Sequence, residues 1–210
     1  MFPIKYDFIM PTPVFIIDYG IGNVLKVNQI LRYQGFDPQI LTRNTDAKKN
    51  DTGVLLIPGI GHFDACAIAA RKYGVDELVQ NWQAAGKGII GICVGAQLLL
   101  ESSEEGSEPG FGLIRGRVLS NKSMNRGLNV GRGKVIFKNG IHEHLNSTRY
   151  YFSHNYHLSP EDQSMIYAYD SNGFPAVIKS GRVMGIQFHP EKSGPIGSRL
   201  LKTLIAEVTE

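Results

Sequence analysis

The chain has 210 residues, a formal charge of +3, 42% hydrophobic residues and 20% charged residues, which is typical of a soluble globular protein with one sizeable core. Its Lys and Arg residues are scattered rather than clustered, which argues against nucleic-acid binding. Cys66 and Cys93 are too few for a disulfide framework, and no Cys/His spacing suggests a metal site. No apolar run is long enough to span a bilayer, and the N-terminus lacks a signal-peptide pattern. We therefore expect a cytoplasmic protein with free thiols.

Short apolar runs alternate with helical patterns through the first half of the chain. The predicted strands are 14–18, 38–41, 53–59 and 88–93, and the predicted helices are 24–33, 75–85 and 96–103. Nearly continuous apolar strands that alternate with helices indicate a parallel sheet covered on both faces.

The second half changes to short apolar runs with turns between them, namely GRVL, GKVIF, RYYFSHNY, MIYAYD, FPAVIKS and VMGIQFHP. These runs predict a β-rich layer that adds strands to the sheet, before a last helix over 196–208. We predict an α/β fold with a mainly parallel sheet flanked by helices. Residues 14–210 would form one domain, and residues 1–13 an N-terminal extension.

Cys93 lies at the end of a predicted strand, between Gly91 and Gly95. Reactive groups collect at the carboxyl ends of the strands in such sheets. The two glycines allow the sharp strand-to-helix turn of a nucleophile elbow, and the following helix start favours a thiolate. The alternative is a small buried hydrophobe, the usual role of a free cysteine, which suits Cys66 better than Cys93.

His189 and Glu191 follow another predicted strand, in the run GIQFHPEKS. In an extended segment both side chains lie on the same side, so the carboxylate is able to orient the imidazole as a base for the thiol. Alone, a His-x-Glu sequence is more often a solvated turn. Its position at a second strand end supports a Cys-His-Glu arrangement.

The run IPGIGHF, residues 57–63, is a third strand end that bears on the same chemistry. Its Gly59, Ile60 and Gly61 form a turn that aims backbone N–H groups into the crevice. Together with the N–H of Val94 they would stabilise the oxyanion of an acyl-transfer intermediate. A plain glycine-rich loop is the alternative.

GICVGAQ around Cys93, PGIG at 58–61 and FHPEKS at 188–193 resemble the triad-type class I glutamine amidotransferases. Within that class, IDYGIGN, PGIGHF, SEEG and YYFSHNY are similar to segments of the glutaminase subunits of imidazole glycerol phosphate synthases. The likeness runs from about Val14 to the C-terminus.

The resemblance implies that Cys93 attacks the side-chain amide of L-glutamine, with His189 relaying the proton and Glu191 orienting the histidine. The family's glutamine-binding positions match Gln97 and Glu105, the latter pairing with the substrate ammonium, and the segment with Ser153, His154 and Asn155, which borders the carboxylate. No cofactor and no metal are implied.

The resemblance also implies a partner, a (β/α)8-barrel cyclase subunit that binds the glutaminase as a heterodimer. Ammonia would pass to that subunit, which makes imidazole glycerol phosphate and an aminoimidazole carboxamide ribotide in histidine biosynthesis. One segment departs from the pattern: where the family has P-H-x-G-W-N facing the cyclase, this chain keeps Gly131 but has Arg132 and Gly133 for the Trp and Asn. A paralogue that supplies ammonia for a surface-polysaccharide sugar is therefore the alternative.

A flavodoxin-like binding module and an idle scaffold are further alternatives. A flavin-binding module would need a Ser/Thr-rich phosphate loop after strand 14–18, which this chain lacks. An idle scaffold would have no reason to keep all three triad residues.

Overall fold

The computed structural model describes residues 12–42, 52–140, 142–146 and 148–209, so nearly all of the predicted N-terminal extension lies outside the described residues. The strands and helices follow one another as β1 (Val14–Ile17), α1 (Val24–Tyr33), β2 (Gln39–Leu41), β3 (Val54–Gly59), α2 (Phe63–Lys72), α3 (Val75–Ala84), β4 (Gly88–Cys93), α4 (Val94–Gln97), β5 (Ser102–Ser103), β6 (Gly116–Ser120), β7 (Asn129–Phe137), β8 (Arg149–His154), β9 (Tyr156–Pro160), β10 (Ile166–Asp170), β11 (Pro175–Ser180), β12 (Val183–Ile186) and α5 (Pro195–Thr209).

A nine-stranded sheet forms the centre of the fold, in the order β2-β1-β3-β4-β12-β11-β10-β7-β8. The pairings from β2 to β12 are parallel, and those from β12 to β8 are antiparallel. The short strands β5, β6 and β9 form a second sheet. The predicted α/β class with a β-rich second half is therefore confirmed, and the second half supplies the antiparallel part.

The inner parallel strands β1, β3, β4 and β12 are buried along their whole length, so helices must cover both faces of this part of the sheet. Helix α1 packs with α5, and α2 packs with α3. On α3, Trp82 contacts Phe15 edge to face at 5.6 Å and donates its indole N–H to the Gly88 carbonyl. None of the helices in the described ranges is long and apolar enough to cross a membrane.

Two helix predictions differ from the structure. Helix α2 was not predicted, because its buried face is made largely of the small residues Cys66, Ala67 and Ala70, which give a weak periodic signal. The helix predicted over 96–103 is wrong, since α4 ends at Gln97. The carbonyls that would continue it, those of residues 98–100, instead accept hydrogen bonds from N–H groups of the segment 111–114.

Gly91 and Gly95 allow α4 to lie directly against the strands. A Cβ added at Gly95 would overlap the Ile57 carbonyl oxygen of β3, and one added at Gly91 would overlap the Gly95 carbonyl oxygen. The backbone of α4 therefore approaches β3 and β4 more closely than any side chain permits. This packing fixes the end of β4 in space.

We expect Gly95→Ala to lower the free energy of unfolding by about 1–3 kcal/mol, because the added methyl must displace a backbone rather than a flexible side chain. Urea denaturation of the purified chain measures the change. Gly127→Ala is the matched control, since a Cβ there meets nothing within 4 Å. Equal stability of the two variants would show that α4 is free to move away from the sheet.

Candidate active site

Cys93 occupies the sharp turn between β4 and α4. Its backbone has φ 56° and ψ −113°, a conformation that residues with a side chain rarely adopt. Close packing against β3 holds this turn, where Cys93 pairs with Gly59 in the strand register. The predicted elbow is therefore present, and backbone strain of this kind collects at reactive sites.

The surroundings of Cys93 do not favour the thiolate that its place before a helix predicted. Burial raises the pKa of the Cys93 thiol to about 12, while a hydrogen bond from the Val94 backbone and the charge of Lys192 oppose the shift without overcoming it. Helix α4 is only four residues long, so its terminal dipole is weak. At neutral pH the group is a neutral thiol, which needs a base before it attacks.

A cavity of about 130 Å³ opens beside Cys93, whereas one water molecule needs only about 10–15 Å³. It brings together ten of the twelve residues predicted for the site. Its lining residues are Ile60, Gly61, Cys93, Val94, Gln97, Glu105, Ser153, His154, Asn155, Tyr156, His189 and Lys192. The other two predicted residues lie behind the lining, Gly59 on β3 and Glu191 beyond His189.

His189 reaches the cavity from the end of β12, the strand that pairs in parallel with β4. Its Nδ1 lies 2.7 Å from Oε1 of Glu191, and both side chains are almost fully buried. An ionised carboxylate only accepts hydrogen bonds, so Nδ1 carries the proton and Nε2 is left as the basic nitrogen. The predicted histidine–carboxylate pair is therefore formed.

Glu191 is held as a carboxylate although it is buried. Burial alone would raise its pKa, but the hydrogen bond and charge of His189, with a further hydrogen bond from Asn23, lower the pKa below its usual value. Asn23 donates Nδ2–H to the same Oε1 at 2.8 Å. Asn23 was not predicted as a site residue, although it lies in the run IDYGIGN.

The backbone around His189 is tied to β8. Its N–H donates to the Tyr151 carbonyl at 2.8 Å, and Ser193 Oγ accepts from the Tyr151 N–H and donates to the His189 carbonyl. Lys192 lies above the Tyr151 ring, 5.6 Å from its centre. These contacts give the imidazole one position relative to the cavity.

The cavity lining also carries two polar side chains predicted to bind substrate, Glu105 and Gln97. One carboxylate oxygen of Glu105 accepts the N–H of Phe63 at the start of α2, at 2.8 Å. Gln97 donates Nε2–H to the Tyr156 carbonyl at 3.1 Å and contacts Gln187 Oε1 at 3.4 Å. A carboxylate and an amide thus face the cavity in fixed orientations.

A larger cavity, of about 520 Å³, lies at the other end of the strands, next to Gly53, Gly88 and Arg182. It is lined by neither cysteine nor histidine. Within the described ranges, no group of three or more His, Cys, Asp or Glu side chains is placed to hold a metal ion. Of these two cavities, the one beside Cys93 holds the potentially reactive side chains, in spite of its smaller size.

Known proteins of one family are similar to this chain. Residues 15–208 match the family model for glutamine amidotransferase class-I. The chain is 34% identical to the imidazole glycerol phosphate synthase subunit HisH of Prochlorococcus marinus subsp. pastoris over 92% of this chain and 97% of that protein. It is 33% identical to the HisH subunit of Lactococcus lactis subsp. lactis, over 93% and 98% of the two chains.

Solved structures show the same fold at lower identity. A crystal structure of a glutamine amidotransferase superposes with a TM-score of 0.72 at 20% identity, over 92% of this chain and 98% of that one. The PurLQS structure from Thermotoga maritima gives a TM-score of 0.72 at 21% identity, over 95% and 100% of the two chains. With the matching family model and these relatives, the chain belongs to the class I glutamine amidotransferases of the HisH type.

Proposed function

We propose that this chain hydrolyses L-glutamine to glutamate and ammonia, with Cys93 as nucleophile, His189 as proton carrier and Glu191 as the carboxylate that orients the histidine. The observation that carries the proposal is the buried His189–Glu191 pair, which shares a cavity with a cysteine on a strained elbow. Membership of the class I glutamine amidotransferases supports the same chemistry.

The reaction begins from a neutral thiol. As Nε2 of His189 takes the Cys93 proton, Sγ bonds to the side-chain carbonyl carbon of glutamine and the carbonyl oxygen becomes an oxyanion. The N–H of Val94 and the Ile60–Gly61 turn stabilise that oxyanion. His189 then gives its proton to the leaving nitrogen, and ammonia departs from a thioester.

Water completes the cycle. Nε2 of His189 removes a proton from the attacking water, the oxygen bonds to the thioester carbon, and glutamate leaves as the Cys93 sulfur takes the proton back. Glu191 stabilises the imidazolium in both halves without itself becoming protonated. Its low pKa suits this role.

The amino-acid end of glutamine binds away from the thiol. We assign its ammonium to Glu105, whose fixed carboxylate lines the cavity, and its carboxylate to the segment 153–155 on the adjoining wall. Gln97 borders both groups. With the charged end of the substrate held by these groups, the side-chain amide is the part left to reach Cys93 in the same cavity.

We further propose that the ammonia serves histidine biosynthesis through a (β/α)8-barrel cyclase partner. The two curated relatives described above are HisH subunits of imidazole glycerol phosphate synthase, a name that implies a complex. The paralogue for polysaccharide synthesis is not favoured, since nothing in these relatives points to it. Arg132 and Gly133 are then sequence differences within the interface with a cyclase partner of the same type.

The outward face of β7 is suited to this docking. Val130 and Ile136 on β7 are 57% and 49% exposed, Leu128 just before the strand is 60% exposed, and the exposed Arg132 and Lys134 stand between Val130 and Ile136 along the strand. Val130 pairs across to Ser153, which lines the cavity. Residues 121–160 contain six Lys or Arg and one Glu, so we expect an acidic surface on the partner.

The test is glutamate release by the chain alone, then with the cyclase subunit from the same genome and its nucleotide ligand. We expect a Cys93-dependent rise on the order of tenfold or more when both are added. Acivicin labelling of Cys93 in the free chain, followed by mass spectrometry, tests the chemistry without the partner. No rise with the cyclase would contradict the pathway, and no labelling would contradict the glutaminase.

Arg132→Glu examines the interface in the same assay. The added negative charge is expected to raise the partner concentration needed for half the effect by about tenfold at low salt, with acivicin labelling of the free chain unchanged. Arg117→Glu, on the exposed side of β6, is the matched control. If the control weakens the response as much as Arg132→Glu does, docking does not use β7.

A further inference from the structure

We infer that Asn129, on the strand proposed to face the partner, is a positioning residue for glutamine binding that acts through the ring of His154. This inference rests on the proposed glutaminase function and adds a residue that neither the sequence motifs nor the triad assign. Asn129 stands at the first position of β7, beside His154 in the register of β7 and β8.

The side-chain amide of Asn129 has one possible orientation. Its Nδ2 lies 2.8 Å from Oδ2 of Asp170 and 3.0 Å from Nε2 of His154. A carboxylate accepts but does not donate, so the atom beside it must be the amide nitrogen rather than the oxygen. Asp170 is itself fixed, because its Oδ1 accepts the backbone N–H groups of Asn172 and Phe174.

This orientation determines the tautomer of His154. Since Nδ2 of Asn129 only donates, Nε2 of His154 must accept and carries no proton. The proton is then on Nδ1, which donates to the Tyr156 carbonyl at 2.8 Å. Burial lowers the pKa of His154 to about 4, so the ring is neutral at physiological pH and keeps this single arrangement.

The Tyr156 carbonyl joins the ring to the cavity. It accepts both Nδ1–H of His154 and Nε2–H of Gln97, so the segment after β8 is held between the two side chains. Asn121 supports the same segment from beneath by donating to the His154 carbonyl at 3.1 Å. His154, Tyr156 and Gln97 all line the cavity.

Loss of the Asn129 amide should therefore loosen the groups assigned to the substrate's charged end, while leaving the thiol and its base in place. Asn129 touches neither Cys93 nor His189 in its hydrogen bonds. The expected signature is weaker capture of glutamine and of glutamine analogues, without altered intrinsic reactivity of Cys93. A general loosening of the fold would instead change both.

Two reagents separate these possibilities in the wild-type chain and in Asn129→Ala. Acivicin must occupy the glutamine site before it alkylates Cys93, whereas iodoacetamide reacts with the thiol without using the amino-acid subsite. We expect acivicin labelling of Asn129→Ala at low reagent concentration to be about tenfold slower, as for the loss of one half-buried hydrogen-bond donor to a charged group, and iodoacetamide labelling to be unchanged. Asn81→Ala, an exposed change on α3, is the background control.

Nitrogen-15 NMR of the His154 imidazole provides the second readout. The wild type should show a protonated Nδ1 and a bare Nε2, and Asn129→Ala should show a mixture of tautomers. Asn129→Asp places a second carboxylate beside Asp170 and an acceptor beside Nε2, so Nε2 should take up a proton while Nδ1 keeps its own, giving a ring protonated on both nitrogens, with slower acivicin labelling again.

Equal acivicin rates in the wild type and both variants would overturn the inference, as would a wild-type ring protonated on Nε2. A parallel loss of iodoacetamide reactivity in Asn129→Ala would also overturn it, in favour of a merely structural role. A wild type that acivicin does not label would overturn the proposed function itself, and this inference with it.

Discussion

Cys93→Ala is expected to abolish glutamine hydrolysis, with a loss of roughly 10⁴-fold or more in kcat. The variant removes the atom that bonds to the substrate, and neither His189 nor the oxyanion donors replaces it. The fold should be retained, since Cys93 contributes only a small buried side chain at the elbow. The substitution also leaves the close packing of Gly95 unchanged. Glutamate release in the presence of saturating partner is the measurement.

Cys66→Ala is the comparison thiol variant, because Cys66 is the second of the two buried cysteines and does not line the cavity, although its Sγ contacts the Ile60 carbonyl at 3.3 Å and the Tyr19 side chain. Most of the activity should survive in this variant.

Alkylation of Cys93 by iodoacetamide should also accelerate with pH beyond about pH 9, because its raised pKa keeps it a thiol at neutral pH. Residual hydrolysis in Cys93→Ala would show that Cys93 is not the nucleophile. An alkylation rate that levels off near neutral pH would show that Cys93 is not a neutral thiol in the resting enzyme.

The strand ends were the most predictable part of the fold and of the site. A buried parallel strand is a continuous apolar run, and polar site residues follow directly after its carboxyl end. Cys93 and His189 were therefore predicted from the positions where such runs end. Their meeting in one cavity follows from the pairing of β4 with β12. The ends of such strands are easy to locate in the sequence, because a strand that is buried on both faces needs an unbroken run of apolar residues.

The ionisation of Cys93 was predicted wrongly because it depends on burial, which the local sequence does not carry. A helix start favours a thiolate only if the helix is long enough to have a dipole and the sulfur remains near water. Helix α4 meets neither condition. The direction of the pKa shift was thus set by tertiary packing, which buries the sulfur.

Asn23 and Asn129 escaped prediction for a related reason. Asparagine before a helix usually caps it, and Asn23 stands at that position of α1. Its side chain makes no capping hydrogen bond and instead reaches Glu191, far along the chain. A local rule assigns such a residue to its own helix, whereas only the folded chain reveals the distant partner.

Glu191→Gln is expected to lower kcat by about 10²–10⁴-fold with a small change in KM. The amide fills the same space, but it no longer fixes the proton on Nδ1 of His189 and no longer stabilises the imidazolium that forms when Cys93 is deprotonated. Steady-state glutamate release measures the loss. A change confined to KM would mean that Glu191 serves binding rather than proton transfer.

Asn23→Ala should lower kcat by about tenfold, because a hydrogen bond to a buried carboxylate is lost and Glu191 becomes free to turn away from His189. Gln29→Ala, an exposed change on the same helix, should have no effect. The double variant Asn23→Ala with Glu191→Gln distinguishes a relay from two separate contributions. If Asn23 acts only by holding the carboxylate, the double variant is no slower than Glu191→Gln alone. Additive losses would mean that Asn23 has a second contact with the reaction, and that the orienting function extends beyond the His189–Glu191 pair.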